Sequence, residues 1–281
     1  MLKRIIALML GGIAIVVLIS FVFLFNDVRN ARTIENADKL TGQRIGVISG
    51  WESDYYLSNR TDLTLKRYDT MADLFMGLNY KQVDAIAIDS LTYALVKRSI
   101  SGIKDLEDPL LTTHYCVYVK KHDTEWLNKV NDFIKYFRNS DEYDEFVKHY
   151  YDIDWINNGE LTEQTGTGDV LKACYIIDYY PYEYTESDGE LRGNEVEFLI
   201  HLANYYNMKL EFVPATPESF SMVSKNTDID VVIASINDMY RVESEKETSP
   251  FDMSDGYIES EIHCVVVDGS MEVTNNDLFG S

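Results

Sequence analysis

Two stretches of this chain share a rhythm of short apolar runs and amphipathic segments, separated by a polar interval. In the first, Arg44-Ile45-Gly46-Val47-Ile48-Ser49-Gly50 reads as an apolar strand ending at a glycine, with a helix from Trp51 onward. Leu63 to Tyr68 predicts a second strand, and Met71 to Tyr80 an amphipathic helix. Val83 to Asp89 has the composition of a buried strand that ends at an acid and runs into a further helix. Tyr115 to Lys120 predicts another strand, followed by a long helical stretch from Glu125 through Tyr150. From Asp152 to Gly168 the rhythm stops in a run rich in Gly, Asn and Thr, which marks a linker. It resumes with the strand LKACYII, a helix over Glu195 to Tyr206, and strands over Lys209 to Val213 and Asp230 to Ser235. Strands alternating with helices imply an α/β fold with a mostly parallel sheet and crossover connections. The expected units are residues 39–151, a linker over 152–168, residues 169–268 and a tail over 269–281.

The amino-terminus follows neither rhythm. From Ile5 to Phe25 twenty-one residues carry no charge. At 1.5 Å rise per residue, a helix of that length spans a hydrocarbon core of roughly 30 Å. A cleaved signal peptide has a shorter apolar stretch, about 7–15 residues, ending at a small-x-small site. Here the run leaves through Phe25-Asn26-Asp27-Val28-Arg29, and no cysteine precedes Cys116 to carry a lipid. An uncleaved transmembrane anchor over residues 1–26 is therefore expected. Lys3 and Arg4 precede it, and positive charge stays cytoplasmic. The expectation is a single-pass protein of the cell membrane whose remainder is extracytoplasmic.

Charge narrows the partners. With 47 acidic against 25 basic residues the net charge is −22, a surface that repels nucleic acid and anionic lipid. The three cysteines, Cys116, Cys174 and Cys264, each sit in an apolar alternating run, as buried strand residues do, and give no disulfide framework. The five histidines show no HxH or HExxH spacing, and no GxSxG, Walker or GxGxxG pattern occurs, so no cofactor or metal is implied.

In open parallel sheets, ligands bind beyond the carboxyl ends of the strands. Several polar residues fall at such ends: Ser49-Gly50-Trp51 after RIGVI, Asp89 after VDAIAI, Asp178 and Tyr179 after LKACYII, Ser235 and Asn237 after DVVIA. Two α/β lobes with facing strand ends make a cleft, a favoured small-molecule site.

At these residues the chain resembles the family 3 extracellular solute-binding proteins, the polar amino-acid-binding components of ABC importers. The stretch YYPYEYTESDGELRGNEVEFLIHLANYYNMKLEFV resembles that family's first lobe, and DIDVVIASINDMYR the strand leading to its ligand-binding arginine. KLTGQRIGVISG, KQVDAIAIDS and the run from Thr112 to Tyr151 resemble its second lobe. The resemblance implies a two-lobed periplasmic-binding-protein-like fold of type 2. Because the second-lobe-like segment comes first, it also implies circular permutation, with residues 152–168 joining the old termini. Near termini make such permutation tolerable. The rival is a piece of a tandem array.

Carried over, the resemblance names a pocket. Arg241 matches the arginine that pairs a ligand carboxylate, where a planar fork gives a bidentate contact. Asp89 matches the acid that receives the ligand ammonium, and it is equally placed to cap a helix. Tyr179 and Tyr182 match pocket aromatics, and Ser235 and Asn237 follow the strand before Arg241. Gly50, Trp51 and Glu52 stand where the family has Gly and then Thr or Ser at a helix N-terminus that holds a carboxylate. Glu52 there repels a carboxylate unless it turns away to cap the helix. Thr248-Ser249-Pro250-Phe251 also departs in spacing from the family's Phe-Ser-x-Pro-Tyr. The expected function is that of a membrane-anchored binding protein, not an enzyme, capturing a small polar, amino-acid-like ligand for an ABC permease. The alternatives are a sensing ectodomain acting through a membrane partner, and a dehydratase-like enzyme on the same fold.

Overall fold

A computed structural model describes residues 40–106, 108–177, 179–187, 189–216, 218–226, 228–240 and 249–273. The expected anchor over 1–26 lies outside the described residues. Among the described residues no helix is long and apolar enough to cross a membrane.

The first lobe grows from three parallel strands, β1 (Arg44–Ile48), β2 (Thr64–Tyr68) and β3 (Ala85–Asp89), in the order β2-β1-β3. Helices α1 (Glu52–Leu57), α2 (Met71–Asn79) and α3 (Ser90–Lys97) follow them in turn. Strand residues alternate between two apolar layers. Ile45, Val47, Ala85 and Ala87 pack with Leu57 and Cys264 on one face; Ile48, Ile86 and Ile88 pack with Leu74, Phe75 and Val96 on the other. That two-sided burial is what the continuous apolar runs encode. β4 (Ile100–Asp105) completes this lobe.

Two long strands bind the lobes together. β5 (Leu111–Lys120) and β12 (Ile258–Val273) pair antiparallel from Leu111↔Ile262 to Tyr115↔Ile258. Beyond this ladder β12 runs into the first lobe, pairing with β3 and then β4. β5 runs the other way, pairing with β10 (Val231–Asn237) and β11 (Phe251–Met253). The sheet continues through β6 (Val170–Ile176) to β9 (Lys209–Ala215), parallel to one another and to β10. A small hairpin, β7 (Tyr184–Thr185) with β8 (Leu191–Arg192), lies to one side.

The expected unit 39–151 does not hold together as one lobe. Helices α4 (Thr124–Phe137) and α5 (Asp141–Tyr151) belong to the second lobe, because their apolar stripes meet α7 (Asn194–Tyr205). Phe198 sits among Phe133, Phe137, Phe146 and Tyr257, with ring centroids 5.6, 6.2, 6.3 and 4.1 Å away. The lobe boundary therefore falls within the β5–β12 ladder. The long helix expected over 125–150 is broken at Arg138–Ser140, where the Ser140 hydroxyl accepts the Tyr143 N–H at 3.3 Å and starts a new helix. The expected linker contains α6 (Ile153–Asn158), capped by Asp152 through the N–H groups of Asp154 and Trp155, with Ile153 and Ile156 buried. The tail expected from 269 begins as strand, since Glu272 and Val273 pair with Ser101 and Ile100. A short helix α8 (Phe220–Val223) completes the second lobe. All three cysteines are buried strand residues and none is disulfide-bonded.

The remainder of the linker is strapped down. Glu197 of α7, buried, accepts the Thr162 N–H at 2.9 Å and the Thr162 hydroxyl at 2.6 Å. Asn204 Oδ1 accepts the Thr165 N–H at 2.8 Å, and Gln164 donates to the Met208 carbonyl at 2.9 Å. A Cβ on Gly166 would collide with the Met208 backbone. Little of this was expected of a plain joining loop.

Candidate functional site

Each side of the cleft begins with a backbone that can turn sharply. Gly50 adopts φ +81° where β1 hands over to α1, and its N–H is held by the Asp54 carboxylate at 3.0 Å. The turn brings Trp51 and Glu52 to the mouth of the first lobe. Across from it, the Tyr179–Tyr182 turn rests on the N-terminus of α7. The Pro181 and Tyr182 carbonyls accept the N–H groups of Asn194 and Glu195 at 3.2 and 3.1 Å, which supplies partners for two otherwise unpaired helix amides. Gly193, at φ +127°, lies so close to the Tyr182 carbonyl that a Cβ would strike it. Aromatic turn, glycine and acidic helix start are thus one packing unit.

Between the lobes lies a cavity of 560 Å³, lined by Trp51, Glu52 and Asp89 from the first lobe and Tyr115, Tyr179 and Tyr182 from the crossing strand and second lobe. A smaller cavity of 250 Å³ shares Trp51, Glu52 and Tyr179 and reaches Gly50 and Ser235. Seven of the nine expected residues are therefore brought to one adjoining pair of cavities. Arg241 lies outside the described residues, as does Asp178.

Asn237 is a correction. It is fully buried, donates from Nδ2 to the Thr113 hydroxyl at 2.5 Å, and accepts the Met239 N–H at 2.9 Å. Its amide fastens the end of β10 to the crossing strand, and it lines neither cavity.

The acids divide their work. Asp89 caps α3, with one oxygen accepting the Thr92 N–H at 2.8 Å and the other the Thr92 hydroxyl at 2.5 Å. Trp51 is the cap residue of α1 and makes no side-chain bond there, while the Glu52 carboxyl accepts its own backbone N–H in the first turn. The Glu52 carboxyl also accepts the Tyr115 hydroxyl at 3.5 Å, longer than a strong hydrogen bond. Tyr115 and Tyr182 are themselves joined, hydroxyl to hydroxyl, at 3.0 Å, with rings edge-on at 5.6 Å. Burial pushes the Glu52 carboxyl well above the usual carboxylate range, and the nearby Asp89 charge pushes it further. Asp89 is raised as well by burial, against the hydrogen bonds from Thr92 that favour its ionised form. Among the described residues lining the larger cavity the one base is Arg98, whose guanidinium is paired with Asp154 at 2.6 Å. The described walls are therefore acidic and aromatic, suited to a protonated amine through charge pairing and ring faces.

Ser235 sits in the smaller cavity because β10 bulges there, slipping register against β5 between Val232 and Ile236. Ser235 adopts φ +48°, uncommon for a residue with a Cβ. The Glu195 carboxylate holds it from below. Glu195 also accepts the Tyr257 hydroxyl at 2.7 Å, and burial raises its own affinity for a proton. The neighbouring Glu183 is fully buried and raised far above the usual range by burial and by Glu195.

Tyr115 escaped the sequence reading because it lies inside an apolar strand rather than at a strand end. The signal available was its place in THYCVYV, where the strand leaves one lobe for the other.

Residues 171–277 match the family described as bacterial extracellular solute-binding proteins, family 3. No curated protein sequence matches the chain. Among solved structures, the periplasmic domain of BvgS from B. pertussis is similar at 11% identity and a TM-score of 0.37, over 83% of this chain and 38% of that one. The GluR0 ligand-binding core in complex with L-glutamate is similar at 8% identity and a TM-score of 0.37, over 83% of this chain and 87% of that one. An ancestral amino-acid-binding protein, a precursor of cyclohexadienyl dehydratase, is similar at 11% identity and a TM-score of 0.36, over 83% and 86%. The matched segment starts at β6 and runs through β12, and over that segment the chain is similar to the bacterial extracellular solute-binding proteins, family 3.

Proposed function

We propose that this chain is a two-lobed binding protein that captures a small, polar, amine-bearing ligand, amino-acid-like in character, between its lobes. One observation carries this reading: the 560 Å³ cavity is walled by side chains of both lobes, so a ligand within it touches both at once. Contacts to both sides favour a closed arrangement, and hinge closure about two connecting strands is a common route to it. Arg241 is proposed as the partner of a ligand carboxylate. The uncharged run at Ile5–Phe25 is proposed as the anchor that holds the binding lobes outside the cell membrane. A permease or a membrane sensor would then receive the loaded protein. The order of the lobes is proposed to be a permuted one, because the crossing strands accommodate either chain order.

A thermal-shift screen of the full chain in mild detergent, against amino acids, amines and small peptides, tests the binding function. A ligand specific to the folded state raises the melting temperature in proportion to the logarithm of its concentration above Kd. No shift with any amine or amino acid at millimolar concentration would overturn it.

A further inference from the structure

Resting on the binding function just described, we propose that Glu52 determines which charge the cleft accepts: its carboxyl group receives a protonated amine of the ligand and bars a carboxylate from that position. Four observations converge on this residue. Glu52 is the first residue of α1 and lines both cavities, so its acid faces the space shared by the two lobes. Its carboxyl accepts the N–H of its own residue, a local bond, whereas both oxygens of Asp89 are engaged by Thr92. Its contact with the Tyr115 hydroxyl is long at 3.5 Å, so a stronger donor can replace it. The rings of Tyr179 and Tyr182, with centroids 5.3 Å apart, line the same space and offer π faces to a cation.

The groups that set the charge around Glu52 come from every element against it. Asp89 faces it from the end of β3, Tyr115 from β5, and Tyr179 and Tyr182 from the turn after β6; Arg98, across the larger cavity, is occupied by Asp154. Two carboxyls and several neutral phenols make an empty cleft in which one acid keeps its proton. An ammonium entering beside Glu52 favours the ionised carboxylate, so that proton leaves on binding. Affinity for amines accordingly rises with pH through the range in which the empty site would still hold it.

Calorimetric titration of the full chain in mild detergent with 1,5-diaminopentane, lysine and glutamate, at pH 6 and pH 8, tests this. The expected result is binding of the diamine or lysine at least tenfold tighter than glutamate, and tighter at pH 8 than at pH 6. Glu52→Gln should weaken the amine at least tenfold, abolish its pH dependence and narrow the gap to glutamate. Glu52→Asp should restore part of the preference. Near-ultraviolet circular dichroism identical to the parent shows that Glu52→Gln is folded; an unfolded variant shifts the decision to Glu52→Asp and to the pH dependence of the parent. Glutamate binding as tightly as lysine and indifferent to Glu52→Gln would overturn the assignment of Glu52 while leaving the binding function standing. Binding of none of the three probes would overturn the assignment of Glu52, and the binding function would stand or fall with the wider thermal-shift screen.

Discussion

The Glu195 carboxylate accepts the backbone N–H of Ser235 with both of its oxygens, at 2.9 and 3.0 Å, and so supports the cleft from behind. Glu195 comes from α7, Ser235 from the bulge of β10, and the Tyr257 hydroxyl joins them just before β12 begins. One buried acid thereby fixes the positions of three elements.

Replacing Glu195 by alanine strands two donors, the half-buried Ser235 N–H and the buried Tyr257 hydroxyl. Each unsatisfied group costs about 1–3 kcal/mol, so a total loss of roughly 2–6 kcal/mol is expected in denaturant unfolding. Glu195→Gln keeps one acceptor oxygen and should lose about half as much. An alanine variant as stable as the parent would mean that the bulge stands without this support.

The pH dependence of stability should run opposite to the ordinary case over part of the range. Glu52, Glu183 and Glu195 all hold their protons more tightly when folded, chiefly through burial, than the usual carboxyl value of 4.5. Below that value both folded and unfolded states are protonated and these groups contribute nothing. Above it the unfolded chain releases protons that the folded chain retains, so folding weakens as pH rises towards the folded values. Asp54, Asp84 and Glu197, which are lowered, act in the reverse sense at more acid pH, supporting the fold until pH falls through their folded values. Melting temperature should therefore peak near pH 5 and decline towards pH 8. Glu183→Gln should flatten that decline; an unchanged slope would remove Glu183 from the account.

Arg241→Ala should weaken any ligand that carries a carboxylate by about 2–5 kcal/mol, the usual cost of truncating one member of a buried charge pair. A diamine without a carboxylate should be nearly unaffected. Equal losses for both ligands in calorimetry would show that Arg241 serves the fold or the closure instead of the ligand's acid group.

Cutting the chain at an engineered protease site in Gly166-Thr167-Gly168 should leave the halves associated. They share the β5–β12, β5–β10 and β3–β12 ladders together with the aromatic layer around Phe198. The cut product should therefore elute at the size of the intact chain in gel filtration, with a lowered melting temperature, because the strap from Thr162 to Gly166 holds to α7 and the turn after it. Elution as separate halves, or as an exchanged dimer, would favour the tandem-array organisation over the permuted one.

Most elements were legible because each strand is a short apolar run bounded by polar residues: RIGVI, AIAID and VLKACYI were found within a residue or two. The cleft residues after those strands were legible for the same reason, since a strand end fixes where the next side chains point. The lobe boundary was not. Nothing in the local pattern of Leu111–Lys120 distinguishes a strand that stays in one lobe from one that changes partners midway, which is a property of pairing alone. β4 was missed because ISGIKD carries a glycine and two charges. Asn237 was misplaced because a polar residue at a strand end can face the ligand or bond across to a neighbouring strand, and its sequence is the same in both cases. The linker misled for a related reason: its Thr and Gln residues, read as solvated, bond to a helix that lies far along the chain.

Both ends of the continuous architecture belong to the same lobe: Leu40 enters it just before β1, and Val273 leaves it along β4. A pull applied through either end is transmitted to that lobe, while the other lobe is joined to it through the β5–β12 pair, the apolar cluster that takes in Leu91, and the Arg98–Asp154 pair. Fastened at the amino-terminal side, the molecule would keep one jaw stationary and sweep the other through an arc. The distance swept at the rim of the second lobe, rather than any displacement at the fastening, would then be the quantity that a neighbouring protein could register.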